Sequence, residues 1–180
     1  MSCYHTITLY SFAGAQIPQD EMQKMERVFG MMVRYGGELP LPADGYDPVR
    51  GQWRAEAFLR ILLSVGREPG EVVAGVTDED LFSDGLNFVF GVALPHSVAV
   101  VATPRLHNSF YGLPEDEALF ALRLLKELDH EIGHVLGLSH CPDPLCVMHF
   151  SNTLADTDKK GYDFCLRCRA KVEAVVCRGL

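Results

Sequence analysis

The chain has 180 residues, of which 48% are hydrophobic and 22% charged; these shares are ordinary for a globular protein and exclude a disordered one. A net charge of −8 argues against a nucleic acid or an anionic membrane surface as partner. No apolar run reaches the roughly 18 residues of a transmembrane helix. Met1 to Tyr10 lacks the basic and apolar regions of a signal peptide, so we expect a cytoplasmic protein.

The first third of the chain predicts a strand, a helix, a loop and a second helix. Residues 6–12 mix β-branched, Leu and Tyr positions and favour a strand. Pro18 and two acidic residues begin a helix whose apolar face comprises Met22, Met25, Val28, Phe29 and Met32. Residues 35–50 are rich in Gly, Pro and Asp and predict a loop. Apolar residues at helical spacing predict the second helix over 52–65.

Three short strands and a long helix follow. The strands are expected at 71–77, 87–92 and 97–103. The helix is expected from Pro114 to Leu136, with Gly137 as its C-terminal stop. Its apolar positions are Leu119, Leu122, Leu125, Leu128 and Ile132. This order of elements predicts an α+β fold, a mixed sheet with packed helices, in a single domain over 1–180.

The long helix carries the chain's strongest functional motif. His130 and His134 are four residues apart, so a helix places them on one face, where two imidazoles can bind one zinc ion. Glu131 is adjacent and can deprotonate a zinc-bound water, while Gly137 allows the reversal that brings His140 to the metal. Three histidines leave a fourth position open, as in catalytic zinc sites. Chance produces HExxHxxGxxH on the order of once per 10⁵ chains of this length.

Four cysteines predict a second, structural zinc ion. Cys141 and Cys146 form one close pair, and Cys165 and Cys168 form another after eighteen residues. A four-thiolate site would supply folding free energy to a tail too short for its own core. Free thiols and disulfides are the alternatives, and a cytoplasmic location disfavours disulfides. Cys3 and Cys177 have no close partner in the sequence and are expected to be free thiols.

These motifs resemble the archaemetzincins, a branch of the metzincin clan of zinc metallopeptidases. The resemblance rests on HEIGHVLGLSH, the four cysteines and Met148, with GVTDEDL and GLNFVFG upstream. The interval from Met148 to Cys165 is about one residue shorter than the family pattern. The resemblance implies that His130, His134 and His140 bind catalytic zinc, that Glu131 is the general base, and that Met148 forms the Met-turn below the metal. It also implies two zinc ions per chain, the second on the four cysteines.

The resemblance also implies a metzincin-like fold. This is a mixed twisted sheet over an active-site helix, with an N-terminal part over 1–137 and a smaller zinc-stabilised part over 138–180. Such folds have an antiparallel edge strand beside the cleft, for which residues 87–92 are the candidate. A peptide could add to that edge through main-chain hydrogen bonds, although a covered edge is an equal alternative.

The leading functional hypothesis is therefore zinc-dependent hydrolysis of peptide bonds, with a peptide or protein as substrate and a monomer favoured. A non-catalytic, zinc-stabilised peptide-binding module is the alternative. Nucleic-acid binding by the basic tail is the weakest hypothesis, because a solvated face explains its charges: Lys159, Lys160, Arg167, Arg169, Lys171 and Arg178. The remaining histidines are expected to be structural or exposed: His5, His96 and His107.

Two aspects of the chemistry stay open at this point. The oxyanion-stabilising residue is unassigned, with Tyr162 and His149 as guesses; His149 could also touch substrate. An aminopeptidase needs an acidic group for the substrate amine, and the sequence does not choose among Asp80, Asp84 and Glu115. The choice between internal and terminal cleavage is open for the same reason.

Overall fold

The computed structural model describes residues 3–177, in which strands and helices are interspersed. The strands are β1 Thr6–Phe12, β2 Met32–Leu39, β3 Tyr46–Asp47, β4 Gln52–Arg54, β5 Glu71–Thr77, β6 Leu81–Phe82, β7 Gly91–Ala93 and β8 Val98–Ala102. The α-helices are α1 Gln19–Phe29, α2 Ala55–Ser64, α3 Glu117–Val135, α4 Leu154–Lys159 and α5 Leu166–Val175. Two 3-10 turns cover Pro104–Leu106 and Asn108–Tyr111. Among these helices none is long and apolar enough to cross a membrane.

The main sheet has five strands in the order β2-β1-β5-β8-β7. The first four are parallel, and β7 runs antiparallel to β8 at one edge. Every residue of the central strand β5 is buried, as expected for a parallel strand covered by helices on both faces. A second sheet of three short strands has the order β3-β4-β6. The predicted α+β fold with a mixed sheet is confirmed.

The helices form two layers, one on each face of the main sheet. Alternate residues of β8 point to opposite faces, so Ala99 and Val101 pack with α1 and α3, whereas Val98 and Val100 pack with α2. The larger core also contains residues from the chain's last forty positions, including Met148 and Val172. One apolar core therefore spans the proposed boundary at 137/138, and the division into two parts remains a prediction.

Two predicted boundaries near the N-terminus are wrong. Helix α1 ends at Gly30, which has a φ of 66° and donates its N–H to the Glu26 carbonyl. Met32, expected on the helix face, instead begins β2 and is largely exposed. Residues 35–39, expected as loop, belong to the same strand. The parallel pairing of β2 with β1 supplies its hydrogen bonds, and the Gly-rich sequence gives little sign of such a long-range contact.

Smaller shifts affect two other elements. The second helix begins at Ala55, because the preceding residues pair as β4 with β3 and β6. The strand expected at 87–92 is reduced to β7, and Val89 makes only an isolated bridge to Leu81. Helix α3 lies within its predicted range and begins after Asp116, whose carboxylate accepts a hydrogen bond from the Leu119 N–H at 3.0 Å.

The expectation for Cys3 and Cys177 is also wrong, since these residues form a disulfide bond. The two ends of the chain lie side by side, with a β-bridge between Tyr4 and Val176. Because the two cysteines are 174 residues apart, local sequence spacing cannot predict this contact. The bond ties the first strand to the end of helix α5, which carries part of the cysteine cluster.

Candidate metal centres

Three histidines meet at the end of helix α3. His130 and His134 lie one turn apart, and Gly137, with a φ of 94°, reverses the chain so that His140 returns to them. One nitrogen from each of the three rings lies within 4.8 Å of the others. The Nε2 atoms of His130 and His134 are 3.1 Å apart. Tetrahedral zinc with nitrogen ligands at ~2.0–2.1 Å requires a separation of about 3.3 Å, so the spacing fits zinc.

Backbone carbonyls orient two of these rings. His130 Nδ1 donates to the Val147 carbonyl and His134 Nδ1 donates to the Leu138 carbonyl, both at 2.7 Å. Because a carbonyl only accepts, each Nδ1 carries the proton and each Nε2 presents its lone pair to the shared centre. Burial lowers the pKa of His130, His134 and His140, which favours the neutral form that binds metal.

Glu131 lies in the same cleft as the histidines. A cavity of about 660 Å³ is bordered by these side chains, by the segment from Leu86 to Ala93 and by Phe150 to Asn152. Burial, with a further contribution from Glu127, raises the pKa of Glu131 to about 8, although Lys160 opposes the shift. A methyl group on Gly91 would come within 2.7 Å of Glu131 Cγ, so the glycine at the start of β7 leaves room for this side chain.

Strand β7 forms one wall of the cleft. It is the antiparallel edge strand of the main sheet, which confirms an edge strand beside the cleft but places it at 91–93 instead of 87–92. Among residues 3–177, no strand pairs with the outer side of β7 in the main sheet. An extended peptide could therefore pair with this side of the strand.

Met148 lies below the active-site helix and is fully buried. A side chain on Gly133 would overlap the Met148 sulfur, so helix and methionine approach closely because position 133 is glycine. The Met148 carbonyl accepts a hydrogen bond from the Cys141 N–H at 2.9 Å, and His149 Nδ1 donates to the Cys141 carbonyl at 2.8 Å. These bonds join the segment that follows His140 to the methionine turn.

The four predicted cysteines also come together. Their sulfur atoms all lie within 4.8 Å of one another, and the Sγ atoms of Cys141 and Cys165 are 3.8 Å apart. Zinc–sulfur bonds of ~2.3 Å in a tetrahedron require about 3.8 Å, so the cluster has the dimensions of a four-thiolate zinc site. Burial opposes ionisation of Cys141, but hydrogen bonds from the Asp143 backbone and from Arg167 lower its pKa to about 7.

The other sequence candidates do not line the cleft. Asp80 pairs with Arg105, Asp84 with Arg54, and Glu115 accepts a hydrogen bond from Ser109. Within residues 3–177 the cavity lining includes none of these acids, and neither Tyr162 nor His149. The acid that does line it, beside Glu131, is Glu127. Its position four residues before Glu131 on one helix face was a usable signal that the sequence reading missed.

The interpretation of the basic tail as a solvated face is wrong for Lys160. Its side chain is fully buried and lies near Glu127 and His130. Arg167 donates to Cys141, and Arg169 pairs with Asp163, so these two charges have local structural partners. Arg178 lies outside the described residues. The remaining histidines stay structural candidates: His96, for example, packs against Gly137 at the end of the active-site helix.

Protein families and known proteins with similar sequences support this geometry. A family model described as peptidase family M54 matches residues 22–174. The chain is 46% identical to the archaemetzincin of Pyrococcus furiosus over 155 residues, which cover 84% of this chain and 81% of that protein. The chain belongs to peptidase family M54. The resemblance to the archaemetzincins is thereby confirmed.

Solved structures of similar proteins agree with the fold. The crystal structure of archaemetzincin from Methanopyrus kandleri has a TM-score of 0.83 and 38% identity, covering 95% of this chain and 94% of that one. A structure described as a zinc-dependent peptidase, from Methanocorpusculum labreanum, has a TM-score of 0.81 and 31% identity, covering 92% and 99%. Membership of M54 favours a zinc metallopeptidase over the non-catalytic binding module.

Proposed function

We propose that His130, His134 and His140 hold the catalytic zinc of this M54 peptidase and that Glu131 is its general base. The convergence of the three histidine nitrogens in one cleft with a buried carboxylate carries this proposal. When bound, zinc acts as a Lewis acid on the scissile carbonyl and makes water acidic enough to supply a nucleophile near neutral pH. The donor set of three neutral imidazoles fits that role and leaves a fourth position open.

Glu131 handles the proton in this proposal. Its carboxylate takes a proton from the attacking water and delivers it to the nitrogen of the departing amine. The cleft around it is largely apolar, with Phe88, Phe90 and Phe150 in its lining. Burial raises the pKa of Glu131 in the metal-free protein. A divalent cation held by the histidines would oppose that shift and favour the carboxylate that accepts the proton.

The substrate in this proposal is an extended peptide paired with β7. The outer edge of β7 borders the cavity that contains Glu131, so main-chain hydrogen bonds would hold a peptide beside the histidines. Side-chain preference would come from the apolar segments on either side of the cleft.

The four cysteines hold the second zinc ion in this proposal, in a structural role. Four thiolates close the coordination sphere and leave no open position for substrate. Cys141 follows His140 directly and is bonded through its backbone to Met148 and His149. The structural zinc would therefore fix the segment that delivers the third histidine.

Internal cleavage is the mode that we propose, instead of removal of N-terminal residues. An aminopeptidase needs an acidic side chain to bind the substrate amine. The three candidates from the sequence have other partners: Asp80 pairs with Arg105, Asp84 pairs with Arg54, and Glu115 accepts a hydrogen bond from Ser109. Glu127, the acid that lines the cleft beside Glu131, already has Lys160 and Thr157 as partners. A cytoplasmic location, a monomeric state and the absence of nucleic-acid binding stay predictions, and the Cys3–Cys177 disulfide weakens the cytoplasmic argument.

A matched set of peptides tests this proposal. Each peptide is offered with a free and with an acetylated N-terminus, to zinc-loaded protein and to the Glu131→Gln variant. We expect cleavage at internal bonds of both forms by the wild type, because backbone pairing with β7 does not require a free amine. Mass spectrometry identifies the products. Cleavage confined to the first residue of free peptides would contradict internal cleavage, and equal rates with the variant would contradict the role of Glu131.

A further inference from the structure

Lys160 is a fully buried ammonium group beside the histidine cluster. It directly follows helix α4, and its Nζ atom donates to the His149 carbonyl at 3.3 Å. The same atom lies 3.4 Å from His130 Nδ1 and 3.5 Å from Glu127 Oε1. Lys160 thus contacts helix α3 and the segment after Met148 at once.

Glu127 is the counter-charge of this ammonium group. Its side chain is only 4% exposed, and it lines the cleft one helical turn before Glu131. Thr157 Oγ1 donates to the same Oε1 atom at 3.0 Å, which fixes the carboxylate toward Lys160. A buried ion pair is destabilised strongly when one partner is removed, because the other charge is left without compensation.

His130 lies between this ammonium group and the candidate metal position. Its Nδ1 atom already donates to the Val147 carbonyl at 2.7 Å, so its proton is directed to that carbonyl and not shared with Lys160. The ammonium group and a metal cation on Nε2 would then occupy opposite sides of one imidazole ring. Two positive charges at such a separation repel, and a buried environment screens that repulsion less than water does.

We infer that Glu127, by neutralising the buried charge of Lys160, maintains the zinc affinity of the histidine cluster. Glu127 cancels the charge of Lys160, and this cancellation permits His130 to hold a divalent cation. The inference rests on the proposed function, since it takes His130 as a zinc ligand. In this arrangement Lys160 contacts α3 and the segment after Met148, and Glu127 is the residue that its charge requires.

A neighbouring ion pair provides a matched control. Arg123 and Asp158 also join α3 to the α4 segment, with Arg123 Nε 2.7 Å from Asp158 Oδ1. Arg123 is buried like Lys160, but its other hydrogen bonds go to Leu106 and Asn108 and not to the histidine cluster. Loss of this pair should loosen the same helices without changing the charge next to His130.

The experiment measures the zinc affinity of the histidine cluster in full-length protein by competition with a chelator that leaves the thiolate zinc in place. Four proteins are compared: wild type, Glu127→Gln, Lys160→Met and the double variant. We expect Glu127→Gln to weaken zinc binding at least tenfold. Lys160→Met should increase the affinity by more than threefold, and the double variant should return to within threefold of wild type. The absorption spectrum of cobalt-loaded protein confirms that the metal occupies the histidine cluster.

A smaller loss in Glu127→Gln, or a double variant that recovers no affinity, would overturn the inference. If Glu127→Gln does not fold, Lys160→Met decides: an increase in zinc affinity of more than threefold supports the inference, and an unchanged or lower affinity overturns it. The control Arg123→Met/Asp158→Asn should reduce thermal stability and keep the zinc affinity within threefold. A control that loses as much affinity as Glu127→Gln would assign the effect to general loosening. Wild-type protein that binds no zinc on its histidines would instead overturn the proposed function.

Discussion

Glu131→Gln should abolish peptide hydrolysis while the protein keeps its full zinc content. The amide is nearly isosteric with the carboxylate but cannot accept the proton of the attacking water, and general-base catalysis contributes about 10²–10⁴-fold to such rates. We expect kcat/KM to fall by at least about 10³-fold. Steady-state cleavage of one internal-bond peptide, with metal analysis of the same sample, measures both quantities. Activity within tenfold of wild type at equal zinc content would contradict the mechanism.

The same substitution should stabilise the metal-free protein. The folded-state pKa of Glu131, about 8, exceeds the ordinary carboxyl value of 4.5, so ionisation opposes folding. This cost is absent below pH 4.5, grows as the pH rises toward 8 and is complete above it. At pH 7 we expect Glu131→Gln to raise the free energy of unfolding by about 1–3 kcal/mol. Urea unfolding of both metal-free proteins at pH 5 and pH 7 should show the difference growing with pH; a difference that shrinks would contradict the assignment.

Removal of the cysteine site should have the second large effect. Cys165→Ser with Cys168→Ser leaves two thiolates, so we expect the loss of one zinc ion per chain. Structural zinc contributes about 10–16 kcal/mol of binding free energy in small zinc peptides. We expect unfolding to become easier by at least about 3 kcal/mol, together with a large loss of hydrolysis, because Cys141 no longer anchors the segment behind His140.

The Cys3–Cys177 disulfide supplies the control for that experiment. Cys3→Ser with Cys177→Ser also removes two sulfur atoms and reduces stability, but these residues lie outside the cysteine cluster. This variant should retain two zinc ions and measurable hydrolysis. Metal analysis and thermal unfolding of both variants separate the two effects. A cysteine-cluster variant with two zinc ions and wild-type stability would contradict a structural zinc site.

The two candidate metal clusters were predictable because their residues have short, regular spacings. His130 and His134 are one helical turn apart, and each cysteine pair is close in the sequence. The buried strand β5 was predictable for a similar reason, since its unbroken apolar run needs cover on both faces. Local periodicity carries information of this kind directly.

Long-range contacts account for what the sequence did not reveal. Strand β2 depends on its pairing with β1, and the disulfide joins residues separated by 174 positions. In the sequence, Lys160 is one of several basic residues near the C-terminus. Its contacts with Glu127 and His130, about thirty residues away, form only in the folded chain. The position of Glu127 in the cleft was predictable from helical periodicity, because Glu127 shares a helix face with Glu131.

Metal analysis of purified wild-type protein tests the central claim most directly. Protein purified in the presence of zinc and freed of loosely bound metal is analysed for zinc per chain. The arrangement of one histidine and one cysteine cluster predicts two zinc ions, of which the chelator-sensitive one is required for hydrolysis. A single zinc ion that resists the chelator, in protein that still cleaves peptides, would contradict catalysis at His130, His134 and His140.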